Sequence, residues 1–270
     1  MDDFEELEEF QMFISVLNTG EGAREILKSF HESDVCGDLM IDSEEILSGD
    51  VSKIKSAIGH MHMAIILSNL SDSEERELAC KVAAVGKSSG VLTLVYNLVP
   101  FKFKDSGKKM GAGLVNSAIL KTDLYLAMTE NEQSEPLEAK AKNIKDAIDA
   151  ATKMVVEQGM ICVDISDFRS VICTGKLAVF GRGVSSDIPN ALESALSCDD
   201  INNINTSDIS GMHITLTAGM SLTLEDFTLL GDLIELKASD DCLIVMGTIL
   251  DTSFNEEKQV SVIFNGPELY

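Results

Sequence analysis

The chain has 270 residues, 45% of them hydrophobic, which is enough to build the core of one large domain or of two ordinary ones. Its 45 acidic and 21 basic residues give a formal net charge of −24, which repels nucleic-acid phosphates and anionic lipid surfaces. We therefore expect no nucleic-acid partner and no direct membrane binding.

Targeting and metal-binding signals are missing from the sequence. The apolar runs at residues 63–67 and 91–95 have the length of strands, far below the roughly 20 residues of a membrane-spanning helix. The chain starts with MDDFEELEEF, which is acidic, whereas a secretory signal starts with basic residues. The cysteines form no C-x-x-C pair, which argues against a zinc cluster or a disulfide framework. We expect a cytoplasmic protein without a metal site.

The first half alternates β-rich runs with amphipathic stretches, which is typical of an α/β protein with a parallel sheet. Strands are predicted at residues 12–17, 63–67, 91–96 and 123–127. A long helix is predicted at residues 134–159, because apolar residues recur along it at steps of four and three: Leu137, Ala141, Ile144, Ile148, Ala151 and Val155. Ser134 is predicted to cap its start and Gly159 to end it.

The pattern changes after this helix. Short strands are predicted at residues 177–180, 213–217, 243–248 and 259–264, with helical stretches near 187–198 and 224–236. Such a mixture indicates a second domain of the α+β class. We therefore predict three parts, at residues 1–133, 134–159 and 160–270.

Several short motifs follow one another in a specific order. They are GVLTLV at residues 90–95, PFKF at 100–103, ICVDISDFRSV at 161–171, GRG at 181–183, ITLTAG at 214–219, LEDF at 224–227 and MGT at 246–248. Each motif is weak alone. Together, their order and spacing resemble those of FtsZ, the bacterial relative of tubulin, over roughly residues 12–266.

The resemblance implies the fold of the FtsZ/tubulin superfamily. Residues 1–133 would form a Rossmann-like domain of the type that binds GTP with Mg²⁺, residues 134–159 the central helix, and residues 160–270 the C-terminal domain. Because the family stacks head to tail into filaments, the expected partner is FtsZ, another FtsZ-like subunit or a second copy of this chain. The family's disordered linker and C-terminal tethering peptide have no counterpart in the sequence, and we expect neither.

The loop after the first strand departs from the family pattern. The family has a run of glycines there, because only glycine lets backbone N–H groups crowd against phosphate oxygens. Gly20 alone occupies one of these glycine positions, Gly22 replaces the following asparagine, and Glu21 falls among the phosphate donors. A plain strand-to-helix turn explains this stretch better than a residual phosphate loop.

The second phosphate loop is also replaced. Residues 71–77 read SDSEERE where the family has GGGTGTG, so that Asp72, Ser73, Glu74 and Glu75 stand in place of glycines and a threonine. The pattern predicts a helix N-terminus, capped by one of the two serines that flank Asp72. The acidic residues then lie at the positive end of the helix dipole.

Electrostatics argues against GTP at such a site. A carboxylate about 4 Å from a phosphate charge costs on the order of 4 kcal/mol at an effective dielectric constant near 20. Several carboxylates face a single nearby cation in the sequence, Arg76, and the aspartate that reads guanine in the family aligns with Lys142. Mg²⁺ can bridge carboxylates to phosphates, so a divergent but active GTPase remains the alternative. We expect no cofactor.

The loop after the central helix keeps both acidic positions of the family, at Asp164 and Asp167. The resemblance implies that these carboxylates reach the GTP of a neighbouring subunit and orient the attacking water, which is a catalytic role in trans only. The structural alternative is that Asp167 or Ser166 caps the next helix and that Asp164 ends a strand.

Two functions remain after this reasoning. The first is an FtsZ-like pseudo-GTPase that does not bind GTP and serves as a regulatory or structural protein of cell division or the cytoskeleton, capping FtsZ filaments. The second is a divergent, active FtsZ-like GTPase that polymerises in cell division. A tubulin-like body reused for an unrelated task is a third hypothesis. The degenerate loops favour the first function, that of a protein that is not an enzyme.

Overall fold

A computed structural model describes residues 13–30, 40–41, 44–99, 121–127, 134–156, 160–175, 177–197 and 209–266. The described elements, in chain order, are β1 (Ile14–Asn18), α1 (Glu21–Phe30), β2 (Met40–Ile41), α2 (Glu44–Leu47), α3 (Val51–Ile58), β3 (Met63–Ser68), α4 (Ser73–Ser88), β4 (Leu92–Asn97), β5 (Leu124–Ala127), α5 (Leu137–Val156), α6 (Ile165–Ile172), β6 (Leu177–Ser185), α7 (Ile188–Leu196), β7 (Gly211–Ala218), α8 (Leu224–Glu235), β8 (Leu243–Leu250) and β9 (Lys258–Asn265).

The described strands form one mixed sheet in the order β2-β1-β3-β4-β5-β6-β9-β7-β8. Strands β1 to β5 pair in parallel, as predicted, and β5 continues the parallel pairing to β6 through Tyr125 opposite Leu177. Strand β9 is antiparallel to both of its neighbours, β6 and β7. The α/β class is confirmed. Because one sheet runs through both predicted domains, the division at residues 133 and 159 stays a prediction.

The predicted strands are all present, with ends shifted by a few residues. The largest difference is in β6, which was predicted to end at residue 180 and continues to Ser185. The two glycines and the arginine at residues 181–183 do not look like a strand in the sequence, yet they pair with residues 260–262 of β9. The sequence reasoning also missed α3, which is capped by the Asp50 carboxylate and buries Ile54 and Ile58.

The central helix α5 is present and buries most of its predicted apolar stripe. Ala141, Ile144, Ile148 and Ala151 are buried in the same core as residues from β1, β3, β4, β5 and α6. Leu137 is an exception, since 45% of its surface is exposed. The predicted cap is wrong, because the helix starts at Leu137, directly after Pro136, and Ser134 lies too far upstream. Gly159, its predicted end, lies outside the described residues.

The same helix is tied to the second half of the sheet through a buried histidine. His213 in β7 is fully buried, and its Nε2 donates to the carbonyl oxygen of Ala150 in α5 at 2.7 Å. The imidazole makes an edge contact with the ring of Phe168 in α6, with 4.6 Å between centroids. Burial lowers the pKa of His213 to about 4, against the opposing effect of the hydrogen bond. His213 is therefore neutral in the folded protein at physiological pH.

The burial of α5 predicts the effect of a charge on its stripe. Ile148 is 4% exposed, so Ile148→Asp places an unpaired carboxylate in the core and should unfold the protein or lower its melting temperature by at least about 10 °C. Leu137→Asp is the matched control, because it puts the same charge at an exposed helix N-terminus, where acids are tolerated. Thermal unfolding followed by circular dichroism measures both, and equal melting temperatures for the two variants would contradict the burial of this stripe.

The buried histidine predicts a loss of stability in mild acid. The unfolded state binds a proton near pH 6.5 and the folded state only near pH 4, so folding stability falls as the pH drops between these values. From pH 7.5 to pH 5 this effect amounts to about 2 kcal/mol. Urea unfolding at the two pH values should show that loss in the parent chain and not in His213→Gln. The same pH dependence in both proteins would assign it to other groups.

Candidate functional site

An acidic cleft of about 480 Å³ lies beyond the carboxyl ends of β1 and β3. Gly20 comes from the loop after β1, and Asp72, Glu74, Glu75 and Glu77 come from the start of α4. This is the edge of a parallel sheet at which α/β proteins bind ligands. It is also the place where the resemblance puts the two phosphate loops.

The second loop is a helix N-terminus, as the sequence predicted, but its cap is a different residue. The Asp72 carboxylate accepts the backbone N–H groups of Glu74 and Glu75 at 2.8 and 3.0 Å, so that neither flanking serine is the N-cap. Aspartate is as good a cap as serine and its charge also matches the helix dipole. Ser73 is the first residue of α4.

The Glu75 carboxylate joins the two loops. Its Oε2 accepts the backbone N–H of Asn69, in the loop after β3, at 2.8 Å. The same oxygen lies 3.2 Å from the hydroxyl of Thr19, in the loop after β1, and that hydroxyl also faces the carbonyl oxygen of Leu67 at 3.3 Å. The sequence reasoning assigned Glu75 only to the helix dipole and missed this contact. A glutamate in the first turn of α4 opposite a lone glycine was the signal that could have indicated it.

Gly20 provides the space for this carboxylate. A Cβ atom built at Gly20 would collide with the carboxylate atoms of Glu75. The backbone of Gly20 does not have a positive φ, so a side chain here requires only that the Glu75 carboxylate move away. Gly20 and Glu75 therefore fit each other.

The other residues predicted at this site do not line the cleft. Glu21 and Gly22 begin α1, and the exposed Glu21 carboxylate lies 3.8 Å from the guanidinium of Arg24. Arg76 was predicted to be the cation facing the carboxylates, but its Nη1 donates to the Leu70 carbonyl at 2.8 Å. Lys142 pairs with Asp146 of its own helix at 2.8 Å. The cation that lines the acidic cleft is one that the sequence reasoning did not name, Lys81.

The second predicted site lies at the start of α6. Asp164 is the N-cap of that helix and accepts the backbone N–H of Asp167 at 2.8 Å. The structural alternative had placed the cap at Asp167 or Ser166 and Asp164 at the end of a strand; both assignments are wrong. Both carboxylates are exposed. The N-cap contact uses one carboxylate oxygen of Asp164. Asp164 can therefore cap α6 and still contact a neighbouring molecule.

The two sites lie at opposite ends of the N-terminal strands. Helix α6 is anchored at the amino end of β4, where Arg169 donates to the carbonyl oxygen of Gly90 at 3.1 Å. The acidic cleft lies at the carboxyl end of β3, a strand of six residues. Such a strand spans about 20 Å, so Asp164 and Asp167 cannot act on a ligand in the acidic cleft of their own chain.

A second cleft, of about 430 Å³, separates α5 from β6, β7, β8 and β9. Ion pairs cross or line it: Arg182 of β6 binds Asp146 of α5 at 2.6 Å, and Asp149 lies between Lys145 and Lys153 at 2.7 and 3.4 Å. Sequence reasoning missed this network, because Arg182 and Asp146 are far apart in the chain. The charges are paired, and the network connects the central helix to the C-terminal strands.

The described residues contain neither a metal-binding cluster nor a membrane-spanning helix. No three histidine, cysteine, aspartate or glutamate side chains in the described ranges are grouped so that they could hold a metal ion. None of the helices seen in those ranges is long and apolar enough to cross a membrane.

The chain is similar in sequence to FtsZ proteins. Residues 170–268 match the model described as FtsZ family, C-terminal domain. The cell division protein FtsZ of Buchnera aphidicola subsp. Schizaphis graminum is 29% identical over 231 residues, covering 80% of this chain and 60% of that protein. The FtsZ of Buchnera aphidicola subsp. Baizongia pistaciae is 26% identical over 235 residues, covering 82% of this chain and 61% of that protein.

The fold agrees with these sequence matches. An FtsZ dimer from M. jannaschii, described as empty, superposes with a TM-score of 0.79 at 18% identity, covering 96% of this chain and 90% of that one. The chain spans about 60% of the length of the curated relatives named above. The motifs at residues 181–183, 214–219 and 246–248 lie within the matched residues 170–268, and the chain is similar to FtsZ in sequence over about 80% of its length and in its fold.

Proposed function

We propose that this protein is an FtsZ-like pseudo-GTPase that does not bind GTP and that regulates cell-division filaments by joining them through its Asp164 face. The observation that carries the proposal is the charge of the acidic cleft. Among the described residues, four carboxylates and one ammonium group line it, and that ammonium group, of Lys81, is 3.0 Å from Glu77. A triphosphate would add further negative charge to a cleft that is already negative.

The hydrogen-bond donors of the cleft support the same proposal. Phosphate-binding loops work by pointing backbone N–H groups at phosphate oxygens. Here the Asn69 N–H donates to Glu75, and the N–H groups of Glu74 and Glu75 donate to Asp72. These residues do not fit a phosphate chain, because its oxygens would compete with carboxylates for the same donors.

The positions of the two sites favour a cap over an ordinary filament subunit. A head-to-tail stack needs two different surfaces on each subunit. The described residues at the end of this chain with the acidic cleft are rich in carboxylates, whereas the opposite end keeps Asp164 and Asp167 exposed. Such a chain joins a filament of a GTP-binding FtsZ by one end and offers no nucleotide at the other.

Nucleotide binding is the direct test. GTP at about 1 mM with Mg²⁺ should shift the melting temperature by less than about 1 °C, because a ligand that binds only the folded state must stabilise it. A dissociation constant of about 10 μM would instead add about 2.7 kcal/mol, or several degrees. An FtsZ that binds GTP, treated identically, is the positive control. A shift with GTP and Mg²⁺ that ATP does not produce would overturn the pseudo-GTPase proposal in favour of a divergent active GTPase.

Capping predicts an effect on polymerising FtsZ. At a substoichiometric ratio, this protein should co-sediment with FtsZ filaments and shorten them, as seen by sedimentation and electron microscopy. The double variant Asp164→Ser with Asp167→Asn removes both carboxylates but keeps a good N-cap, so it should fold normally. If the carboxylates meet the nucleotide of the neighbouring subunit, this variant should change GTP turnover at the capped end.

The matched control is Glu225→Gln, since Glu225 is an acid in the first turn of a different helix, α8. This substitution should leave both filament length and turnover as in the parent. An absence of binding to FtsZ at any ratio would rule out capping, and self-association of this chain alone would indicate a filament of its own.

A further inference from the structure

We propose that the Glu75 carboxylate is a built-in substitute for a bound anion, which holds the two loops of the cleft in one shape without any ligand. The inference rests on the proposed function in taking the cleft to be without nucleotide, and it goes further by naming what replaces the nucleotide. It is carried by four features of Glu75: its donors, the space it fills, its position in α4 and the surrounding loops.

The donors of Glu75 belong to two separate loops. The backbone N–H of Asn69 follows β3 and the hydroxyl of Thr19 follows β1, and a single carboxylate oxygen is within hydrogen-bond distance of both. A backbone N–H and a hydroxyl at the carboxyl ends of adjacent parallel strands are the groups that would otherwise take a phosphate oxygen. Glu75 thus links two loops that have no sequence proximity.

The space above Gly20 is filled by the same side chain. A Cβ atom at this position would collide with the carboxylate of Glu75, while a Cβ atom at Gly22, two residues further on, would meet nothing. The chain therefore has its glycine where the carboxylate approaches the backbone. In a phosphate loop, a glycine leaves room for an oxygen of the ligand. Gly20 leaves room instead for the carboxylate of Glu75.

The position of Glu75 in α4 shows that it is not an ordinary capping residue. It is the third residue of the helix, where a glutamate normally folds back onto the backbone N–H of the N-cap. That N–H, of Asp72, donates instead to the Asn69 carbonyl at 3.0 Å. The glutamate is therefore available to reach past the cap to Asn69 and Thr19.

The loop after β3, at residues 69–71, is held by further hydrogen bonds. The Asn97 side chain accepts the Leu70 N–H at 3.0 Å and donates to the Tyr125 hydroxyl at 2.8 Å. The Asn69 side chain accepts the N–H of Ser71 at 3.1 Å. With Glu75 in place, the backbone N–H of Asn69 has a charged acceptor, and the loop is complete without a nucleotide.

Chemical rescue tests this inference on the full chain. Glu75→Ala should lower the melting temperature by about 5 °C, because a charge-assisted hydrogen bond between the loops is lost. Sodium acetate should recover part of that loss relative to sodium chloride at equal ionic strength, since the anion binds the vacated donors of the folded state. Glu74→Ala is the matched control, because Glu74 is exposed and has the same charge in the same helical turn.

The result expected is a stabilisation by acetate that is larger in Glu75→Ala than in either the parent or Glu74→Ala. Equal effects of acetate on all three proteins, or no loss of stability in Glu75→Ala, would overturn the proposal. If Glu75→Ala does not fold, Glu75→Gln keeps an acceptor for the Asn69 N–H and should show a smaller loss in the same assay.

A double-mutant cycle with Gly20 tests the fit of the two residues independently. Gly20→Ala should destabilise the parent, because its Cβ displaces the carboxylate, and it should cost much less when Glu75 is already alanine. The small cost of alanine at a helix N-cap is common to both backgrounds and cancels. Additive changes in melting temperature would contradict the contact. GTP binding to the parent would refute the proposed function and leave this cycle unchanged, so the two failures are distinguishable.

Discussion

The burial of helix α5 is the constraint on which the two halves of the molecule depend. One face of this helix of 20 residues packs in a core that contains side chains from the N-terminal strands, from α6 and from β9. The carbonyl oxygen of Ala150 accepts a hydrogen bond from the buried imidazole of His213. Met154 of α5 packs against Gly247 of β8, where a Cβ atom would collide with it. The helix therefore connects both halves of the sheet and forms one wall of the second cleft.

The acidic cleft shows how carboxylates can accept the hydrogen-bond donors at the carboxyl edge of a parallel sheet. The donors at the ends of β1 and β3 are inherited with the backbone path of the fold, and a buried N–H that is left unsatisfied is costly. Glycine loops satisfy such groups with a ligand. In this chain the Glu75 carboxylate accepts the Asn69 N–H after β3, while Asp72 accepts the N–H groups of the first turn of α4.

Much of the fold was predictable from the sequence, for physical reasons that are local. Apolar periodicity identified α5 and the buried strands, because burial of one face imposes a period on the chain. The helix start after β3 followed from a polar turn rich in acids, and the order of weak motifs indicated the family. The cap of α4 and the cap of α6 were assigned to the wrong residues, since serine and aspartate are nearly equivalent caps and the sequence does not show which one faces the helix.

The architecture, the resemblance to FtsZ and the acidic run at residues 72–77 are readable from the sequence alone. The contacts that these acids make depend on the tertiary structure. Glu75 meets Thr19 and Gly20 across more than 50 positions of the chain, and Arg182 meets Asp146 across the second cleft. Local sequence patterns carry no information about such contacts, because the contacts form only when the sheet brings distant segments together. The length of each side chain and the space around it then determine which residues meet.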